Sequence, residues 1–513
     1  MSSNPANTAS SEPGLRSWVT QIMDRRVLAM LFLGLSAGLP LLLIFSSLSL
    51  WLREAGVERA TVTYFSWAAL GYSFKFVWAP LIDQLRVPLL TRWLGRRRGW
   101  LLLSQLMVAV SMVLMASIDP ANGASSLTWM AFAAVMLGFS SATQDIVVDA
   151  FRIESAPGDL QALLSATYVA GYRIGMLLSG AGALFAASYF GSELGTYSYV
   201  AWQQTYLLMA ACMGFGVLTT LLVAEPVVPS RSAGDQSQGQ AGFFLTFLLA
   251  VGAFVAAIVG LNQSGAVADW PVLLEGGARL LVGGLAAAAV CYVLSAANLL
   301  DVQMVANSYV GPLRDFFSRY PLRTAGVLLA LVGLYRISDI VLGVIANVFY
   351  QDMGFDKETI ATVVKSFGLF MTIAGGFAGG VLTLRWGVMR MLMVGALMTV
   401  LTNLAFVWLA RSGADIWVLY AVISADNLTA GFASAVFIAF LSALTNIQFT
   451  AVQYALFSSL MTLIPKLVGG YSGSLVDWLG YEGFFVFAAV LGVPILALVW
   501  LASRLFTLDN SPK

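Results

Sequence analysis

The chain has 513 residues, of which 59% are hydrophobic and only 10% are charged. A soluble domain needs about 25% charged residues to wet its surface, so this composition excludes a soluble enzyme, a disordered chain and a nucleic-acid-binding protein. The net charge of +1 indicates no particular partner. A mean hydropathy of +0.83 together with 48 glycines is typical of a polytopic α-helical membrane protein.

The sequence contains no histidine, and both cysteines, Cys212 and Cys291, lie inside apolar runs. Without imidazole, the commonest forms of proton chemistry, metal ligation and Ser/His/Asp catalysis are excluded. Two cysteines in apolar runs do not indicate a disulfide framework. We therefore expect no cofactor, no metal site and no nucleic-acid partner.

Apolar stretches that approach the ~20 residues needed to cross a ~30 Å hydrocarbon core recur along the whole chain. Fourteen spans are predicted, at 27–51, 62–82, 100–118, 127–150, 160–189, 202–223, 243–261, 280–300, 324–349, 359–384, 389–410, 416–444, 450–476 and 483–501. With the amino terminus inside, 17 of the 27 basic residues fall in cytoplasmic segments and 5 fall outside. This asymmetry follows the positive-inside rule, and an even number of spans places both termini in the cytoplasm.

A segment rich in Pro, Ser, Gly and Gln interrupts the apolar pattern after the sixth span. The two spans that follow it lack ionisable residues in their interiors, and we interpret them as an inserted hairpin outside a six-plus-six core. The predicted organisation is a cytoplasmic tail 1–26, an N-terminal six-helix half 27–224, a cytoplasmic linker 225–242, the hairpin 243–300, a second cytoplasmic linker 301–323, a C-terminal six-helix half 324–505 and a cytoplasmic tail 506–513.

We assign nine charged residues to the interiors of the predicted spans. They are Lys75, Asp145, Asp149, Arg173, Arg336, Asp339, Lys365, Asp426 and Lys466. A charge in the bilayer interior costs at least ~2.5–3.5 kcal/mol, so such residues normally face the interior of a bundle or a water-filled cavity. Counted along the twelve core spans, they avoid the third, sixth, ninth and twelfth, which are the outer supports of a major facilitator bundle. The distribution predicts a major facilitator fold, all-α and integral to the membrane, with a central cavity for a solute.

The excess of one positive charge among these nine favours an anionic solute. Asp145 and Asp149 lie four residues apart and therefore share one helix face. Two carboxylates so close together in a cavity of low dielectric favour binding of a proton, which makes the pair a candidate for proton coupling. The structural alternative is that Asp149 lies near the cytoplasmic end of its helix and pairs with Arg152.

Other embedded residues are candidates for contact with the solute. Arg336 and Asp339, spaced i and i+3, either neutralise each other or form an ion pair that opens when solute binds. Arg173 lies mid-helix without an acid within one turn, which indicates an anion or a distant aspartate. Lys75 either pairs with the aspartates of the fourth span or extends towards the inner surface. The remaining candidates for the cavity are Gln144, Lys365, Asp426, Asn427, Gln453 and Lys466.

The loop after the second span carries Asp83 and a basic run, Arg96, Arg97 and Arg98. It occupies the place of the glycine- and acid-containing loop motif of facilitators, but it has extra residues between the acid and the basic run. We predict a gating role for these four residues. Loop charges that obey the positive-inside rule would produce a similar pattern.

Six motifs together resemble the AmpG family of bacterial muropeptide permeases, which belongs to the major facilitator superfamily. They are KFVWAPLID at 75–83, GRRRGW at 95–100, QDIVVD at 144–149, GYRIG at 171–175, PLRDFF at 312–317 and QYAL at 453–456. The resemblance covers nearly the whole chain outside the polar tails and the hairpin, which matches family members with fourteen spans. The QDIVVD motif alone also resembles the related acetyl-coenzyme A transporters.

The resemblance implies a proton-driven importer of anhydro-muropeptides in the bacterial inner membrane. The solute would be N-acetylglucosamine linked to anhydro-N-acetylmuramic acid, with or without a stem peptide, and uptake would serve peptidoglycan recycling and β-lactamase induction. Protons and membrane lipid are the other expected partners, and a monomer is expected.

Three alternatives remain open from the residues alone. One is a facilitator for another large anionic metabolite, such as a siderophore or an acyl-coenzyme A. Another is a receptor that binds without transporting. A membrane-embedded enzyme is disfavoured, because the interior charges are dispersed over seven helices and the loops are short.

Overall fold

The computed structural model describes residues 24–57, 65, 72, 74–156, 160–192, 196–226, 237–266, 272–297, 302–355, 359–469 and 472–505. Within these ranges the protein is built from helices. The first nine are α1 (Arg25–Ile44), α2 (Ser46–Glu54), α3 (Ala79–Gln84), α4 (Leu90–Leu94), α5 (Arg96–Ala116), α6 (Ala124–Ser155), α7 (Gln161–Leu177), α8 (Ala183–Tyr189) and α9 (Tyr199–Leu222). Then come α10 (Ser237–Ser264), α11 (Val272–Ala296), α12 (Val302–Val305) and α13 (Gly311–Arg319). The last seven are α14 (Leu322–Leu334), α15 (Ile337–Asp352), α16 (Gly368–Trp386), α17 (Val388–Ser412), α18 (Ile416–Leu444), α19 (Thr450–Gly469) and α20 (Ser472–Leu505).

Twelve helical segments of the described chain are long and apolar enough to cross a membrane. Eleven of them correspond to predicted core spans and one, Gly242–Ser264, to the first helix of the predicted hairpin. The predicted second span, 62–82, lies largely outside the described residues. Its described end contains a 3-10 turn at Lys75–Val77 and then α3.

The described chain divides into two compact units. One contains both predicted six-helix halves, apart from the short segment Trp78–Arg86, and the other contains that segment together with Val228–Pro321. In the second unit α10 packs against α11, and a Cβ added at Gly283 would lie 2.7 Å from the Phe254 ring. The apolar stretch Leu281–Ala296 of α11 is shorter than a full span, so insertion of this hairpin in the membrane stays a prediction.

Small residues bring α1 and α7 into backbone contact. A Cβ added at Gly171 would lie 1.9 Å from the carbonyl oxygen of Leu31, and one added at Gly34 would lie 2.2 Å from that of Tyr168. The glycines of GYRIG therefore serve helix packing, as expected for small residues between membrane helices. The C-terminal half contains an equivalent contact, since a Cβ at Gly431 of α18 would lie 1.9 Å from the Thr372 oxygen of α16.

The two halves meet where α7 packs against α16. A Cβ added at Gly380 would lie 2.8 Å from the Cβ of Ala166 and 3.1 Å from the carbonyl oxygen of Ala162. Both alanines lie in the first two turns of α7, and Gly380 lies in the last two turns of α16. The contact therefore lies at the end of the bundle where α6 ends and α5 begins, which we call the basic end because it carries Arg96, Arg97 and Arg98.

Several predicted spans are not continuous helices. The span at 324–349 is interrupted at Tyr335 and Arg336, between α14 and α15. The span at 359–384 begins as a π-helix, Ile360–Phe367. α20 begins at Ser472, inside the predicted span 450–476, and its two parts meet in a kink at Gly480, where φ is 67°. That kink lies between the predicted spans 450–476 and 483–501, where the prediction places the loop. Hydropathy cannot locate the interruption at Tyr335 and Arg336 or the π-helix at Ile360–Phe367, since apolar residues continue on both sides of them.

Candidate functional site

The first polar cluster is centred on α6. In the most apolar stretch of this helix, 72% of the residues are buried. The exposed fractions of Asp145 and Asp149 are 7% and 6%. Lys75, with an exposed fraction of 8%, comes from the 3-10 turn before α3, and its Nζ lies 3.9 Å from Oδ2 of Asp149. Oδ1 of Asp145 is buried and has no hydrogen-bond partner among the described residues. The cluster therefore brings two carboxylates into the field of one ammonium group.

Arg152 connects this cluster to the C-terminal half. Its Nη2 lies 3.4 Å from Oδ1 of Asp149, so the predicted structural pairing is present. Its Nη1 donates to Ser442 of α18 at 2.7 Å, and its guanidinium lies over the Tyr454 ring at 5.2 Å. Tyr454 also interacts electrostatically with Asp149. Asp149 therefore belongs both to the buried cluster and to the contact between the halves at the basic end.

Tyrosines surround the deeper aspartate. Tyr72, Tyr168 and Tyr172 all lie within the electrostatic field of Asp145. The Tyr72 hydroxyl donates to Ser141 at 2.6 Å, and the rings of Tyr168 and Tyr172 lie 6.0 Å apart. These rings supply apolar walls with hydroxyl groups, which suits the mixed polar and apolar faces of a sugar.

The second polar cluster lies in the C-terminal half, where a turn at Tyr335 and Arg336 interrupts the helix between α14 and α15. The Arg336 guanidinium donates to Asp339 and to the hydroxyl of Ser434. Beside the pair is a cavity of about 10 Å³, which has room for one water molecule. Arg336, Asp339, Asp426, Thr399, Thr402 and Thr429 are among the residues that line it.

Arg173 of α7 faces the second cluster from the N-terminal half. Its guanidinium interacts electrostatically with both Arg336 and Asp339. Its only hydrogen-bond partner in the described part of the chain is the Met176 sulfur at 4.0 Å, a weak acceptor. Within the described residues no acid forms an ion pair with Arg173, and Asp339 is the carboxylate whose charge acts on it.

The other predicted cavity residues whose side chains the structure describes make separate contacts. Gln144 is fully buried and donates to Ser36 of α1 at 2.8 Å, so it contacts α1 in this conformation. Asn427 accepts from Thr372 at 3.0 Å. Gln453 is buried and accepts from the backbone N–H of Asn446 at 2.7 Å. The side chains of Lys365 and Lys466 lie outside what the structure describes.

The predicted gating loop forms a buried network within the N-terminal half. Arg97 is 1% exposed, and its Nε and Nη2 donate to Glu154 of α6 at 2.8 and 2.6 Å. The carboxylate of Glu225 accepts from the backbone N–H groups of Arg97 and Arg98 at 2.8 and 3.0 Å. A carboxylate in this position satisfies free N–H groups at the start of α5.

Within this network, Arg98 donates to the carbonyl oxygens of Thr220 and Leu221 at the end of α9, and Arg96 lies 4.0 Å from Glu154. Asp83 is 4% exposed on α3. Sequence reasoning missed both glutamates, because each resembles an ordinary acid at a helix end. The gating role of the loop stays a prediction.

Solved structures of similar fold are transporters. The Escherichia coli fucose:proton symporter FucP aligns over 94% of this chain and 99% of its own, with a TM-score of 0.52 and 11% identity. The proton:xylose symporter XylE, bound to 6-bromo-6-deoxy-D-glucose, aligns over 95% of this chain and 96% of its own, with a TM-score of 0.59 and 13% identity. At these identities the likeness shows the fold alone, and this chain has the fold of these two symporters.

Curated relatives identify the family of transporters to which the chain belongs. "Putative transporter AmpG 4" of Rickettsia conorii is 31% identical over 93% of this chain and 97% of its own length. The anhydromuropeptide permease of Escherichia coli K12 is 30% identical over 92% of this chain and 78% of its own length. The model of the family described as acetyl-coenzyme A transporter 1 matches residues 26–193. The chain belongs to the AmpG family of transporters.

Proposed function

We propose that this protein imports anhydro-muropeptides across the bacterial inner membrane, coupled to protons, for peptidoglycan recycling and thereby for β-lactamase induction. The observation that carries the coupling is the buried cluster of Lys75, Asp145 and Asp149, in which one carboxylate oxygen has no partner within the described ranges. The name of the Escherichia coli relative supports the solute class. The protein acts as a monomer. Both of its termini lie in the cytoplasm, and the distribution of basic loop residues supports this orientation.

Asp145 is the proton carrier in this proposal. It is buried, it forms no ion pair within 4 Å with any residue that the structure describes, and it lies in the field of Lys75 and Asp149. A charge held without a partner in a dry interior is costly, so binding of a proton stabilises the closed cluster. Release of that proton on the opposite side of the membrane leaves the carboxylate charged and favours a hydrated cavity.

Asp149 transmits this change to the contact between the halves. It lies 3.9 Å from Lys75 and 3.4 Å from Arg152, which in turn donates to Ser442. A proton bound to either aspartate alters the charge that Lys75 and Arg152 meet. The contact at the basic end then weakens or strengthens, and the two halves rock about a site near the membrane midplane.

The solute chemistry fits the residues around the two clusters. A muropeptide carries carboxylates, for which Arg173, Arg336 and Lys75 are suitable partners, and two acetylated sugars, for which tyrosine rings and amides are suitable. Asp339, Lys365, Asp426, Asn427, Gln144, Gln453 and Lys466 complete the proposed set of cavity residues.

Uptake into proteoliposomes tests the coupling. Labelled anhydro-muropeptide accumulates when the exterior is acidified, and an uncoupler abolishes this accumulation. Asp145→Asn loses gradient-driven accumulation but still exchanges internal for external solute, because the solute site remains. Asp315→Asn, which breaks a partly exposed pair with Arg319, is the matched control and accumulates normally. Normal accumulation by Asp145→Asn would exclude Asp145 as the essential carrier.

The match of residues 26–193 to the acetyl-coenzyme A transporter family supports a second candidate, transport of an acyl-coenzyme A. Competition separates the two. Excess unlabelled anhydro-disaccharide blocks uptake of labelled muropeptide if the first proposal holds, and coenzyme A thioesters leave it unchanged. Inhibition by the thioester alone would favour the second.

A further inference from the structure

Two guanidinium groups on opposite halves of the protein are incompletely paired. Arg173 of the N-terminal half has the Met176 sulfur as its only hydrogen-bond partner in the described chain. Arg336 of the C-terminal half has a buried Nε that lacks a hydrogen-bond partner in the part of the chain that the structure describes. The two groups lie close enough for their charges to interact. Two like charges close to each other favour an anion between them.

The free donor of Arg336 lies on a particular edge of its guanidinium. Nε and Nη2 form one edge, and a carboxylate binds such an edge through both of its oxygens. Asp339 accepts from Nη2, whereas Nε has no partner among the described residues. The edge is therefore half-filled, because Asp339 binds only one of its two donors.

We propose that one carboxylate of the solute binds the Nε–Nη2 edge of Arg336, displaces Asp339 and pairs with Arg173. The inference rests on the proposed function and assigns a chemical group of the muropeptide to this site. The displaced Asp339 faces the small cavity, which has room for one water and is lined by Thr399, Thr402 and Thr429. These groups replace the hydrogen bond that Asp339 loses.

A carboxylate in this position contacts both halves at once. Arg173 belongs to α7 and Arg336 to the interruption between α14 and α15, so the two can share one anion only when the halves approach each other. A ligand that binds one conformation better than another shifts the population towards it. The solute carboxylate therefore favours the occluded state, and an uncharged analogue does not.

Binding to purified protein in nanodiscs tests the assignment. The first probe is N-acetylglucosaminyl-anhydro-N-acetylmuramic acid, whose only carboxylate is on the lactyl group, and the second is its carboxamide. Wild-type protein binds the acid at least tenfold more tightly than the amide, as expected for a charge-assisted bidentate pair. Arg173→Gln loses most of this preference, and Arg173→Lys retains part of it. Arg411→Gln, a change at an exposed ion pair, leaves the preference unchanged.

Asp339→Asn distinguishes the exchange from a structural ion pair. Removal of the competing carboxylate tightens binding of the acid several-fold and leaves the amide unaffected, whereas loss of a merely structural pair would weaken both. Equal affinity of the wild type for acid and amide would overturn the carboxylate site alone. Binding of neither probe would overturn the carboxylate site and the proposed function together.

Discussion

The Arg152 guanidinium of the N-terminal half donates to Ser442 of the C-terminal half at 2.7 Å while its other terminal nitrogen lies 3.4 Å from Asp149. One side chain thus contacts a buried acid and the opposite half of the protein. The chemistry of the acid and the closure of the basic end are consequently linked through a single residue.

Removal of the acceptor should loosen the basic end. Ser442→Ala deletes one hydrogen bond between the halves, worth about 1 kcal/mol or a roughly fivefold change in population. Spin labels at Trp93→Cys and Ile447→Cys, both exposed at this end, in a background without Cys212 and Cys291, should report more of the longer distance.

The control for this experiment is Ser412→Ala, since Ser412 bonds only within its own helix. An unchanged distance distribution in Ser442→Ala would mean that the Arg152 contact does not hold the halves together.

The buried pair of Lys75 and Asp149 should show energetic coupling. Lys75→Gln leaves buried carboxylates without their ammonium partner, which lowers thermal stability. Addition of Asp149→Asn should restore part of it, with an interaction energy between about 0.5 and 3 kcal/mol in a double-mutant cycle.

The exposed pair of Arg411 and Glu482 supplies the comparison cycle, where a much smaller interaction energy is expected because solvent screens both charges. Additive effects at Lys75 and Asp149 would show that the 3.9 Å approach carries no stabilising energy.

Loss of the Arg97–Glu154 pair should strongly destabilise the fold, although the sequence predicted a gating role for Arg97. Both side chains are almost fully buried, and breaking a buried pair costs about 3–5 kcal/mol. We expect Glu154→Gln to lower the melting temperature strongly, as measured by fluorescence-detected size exclusion after heating. A melting temperature equal to that of Glu482→Gln would contradict this expectation.

The backbone contact between α1 and α7 predicts a steric effect at a small residue. Gly171→Ala introduces a Cβ that would lie 1.9 Å from a carbonyl oxygen of α1, and overpacking of this kind costs about 1–3 kcal/mol or more. Yield and melting temperature should both fall. Gly214→Ala is the matched control, because nothing lies within 4 Å of its added Cβ.

The sequence predicted the fold well because the signals it carries are local. Span length, loop charge and the placement of charges along the chain each depend on neighbouring residues, and the helical spacing of Asp145 and Asp149 placed both on one face. The partners of those residues were not predictable in the same way. Ser442 lies 290 residues from Arg152, and a serine in an apolar helix gives no sign of which distant side chain it meets.

The interruption at Arg336 was missed for a related reason. An ion pair at i and i+3 is compatible with a continuous helix, so the spacing of Arg336 and Asp339 gave no indication that the helix stops there. Glu154 was overlooked because burial, not position in sequence, distinguishes it from other acids near helix ends.

The glycine contacts between α1 and α7 limit how this transporter can move. Since carbonyl oxygens occupy the space where side chains would otherwise lie, no deformable layer separates the two helices, and neither can slide along the other without backbone collision. A displacement of α7 at its contact with α16 therefore displaces α1 by the same amount. We expect α1 and α7 to rotate together as one rigid body when the transporter opens.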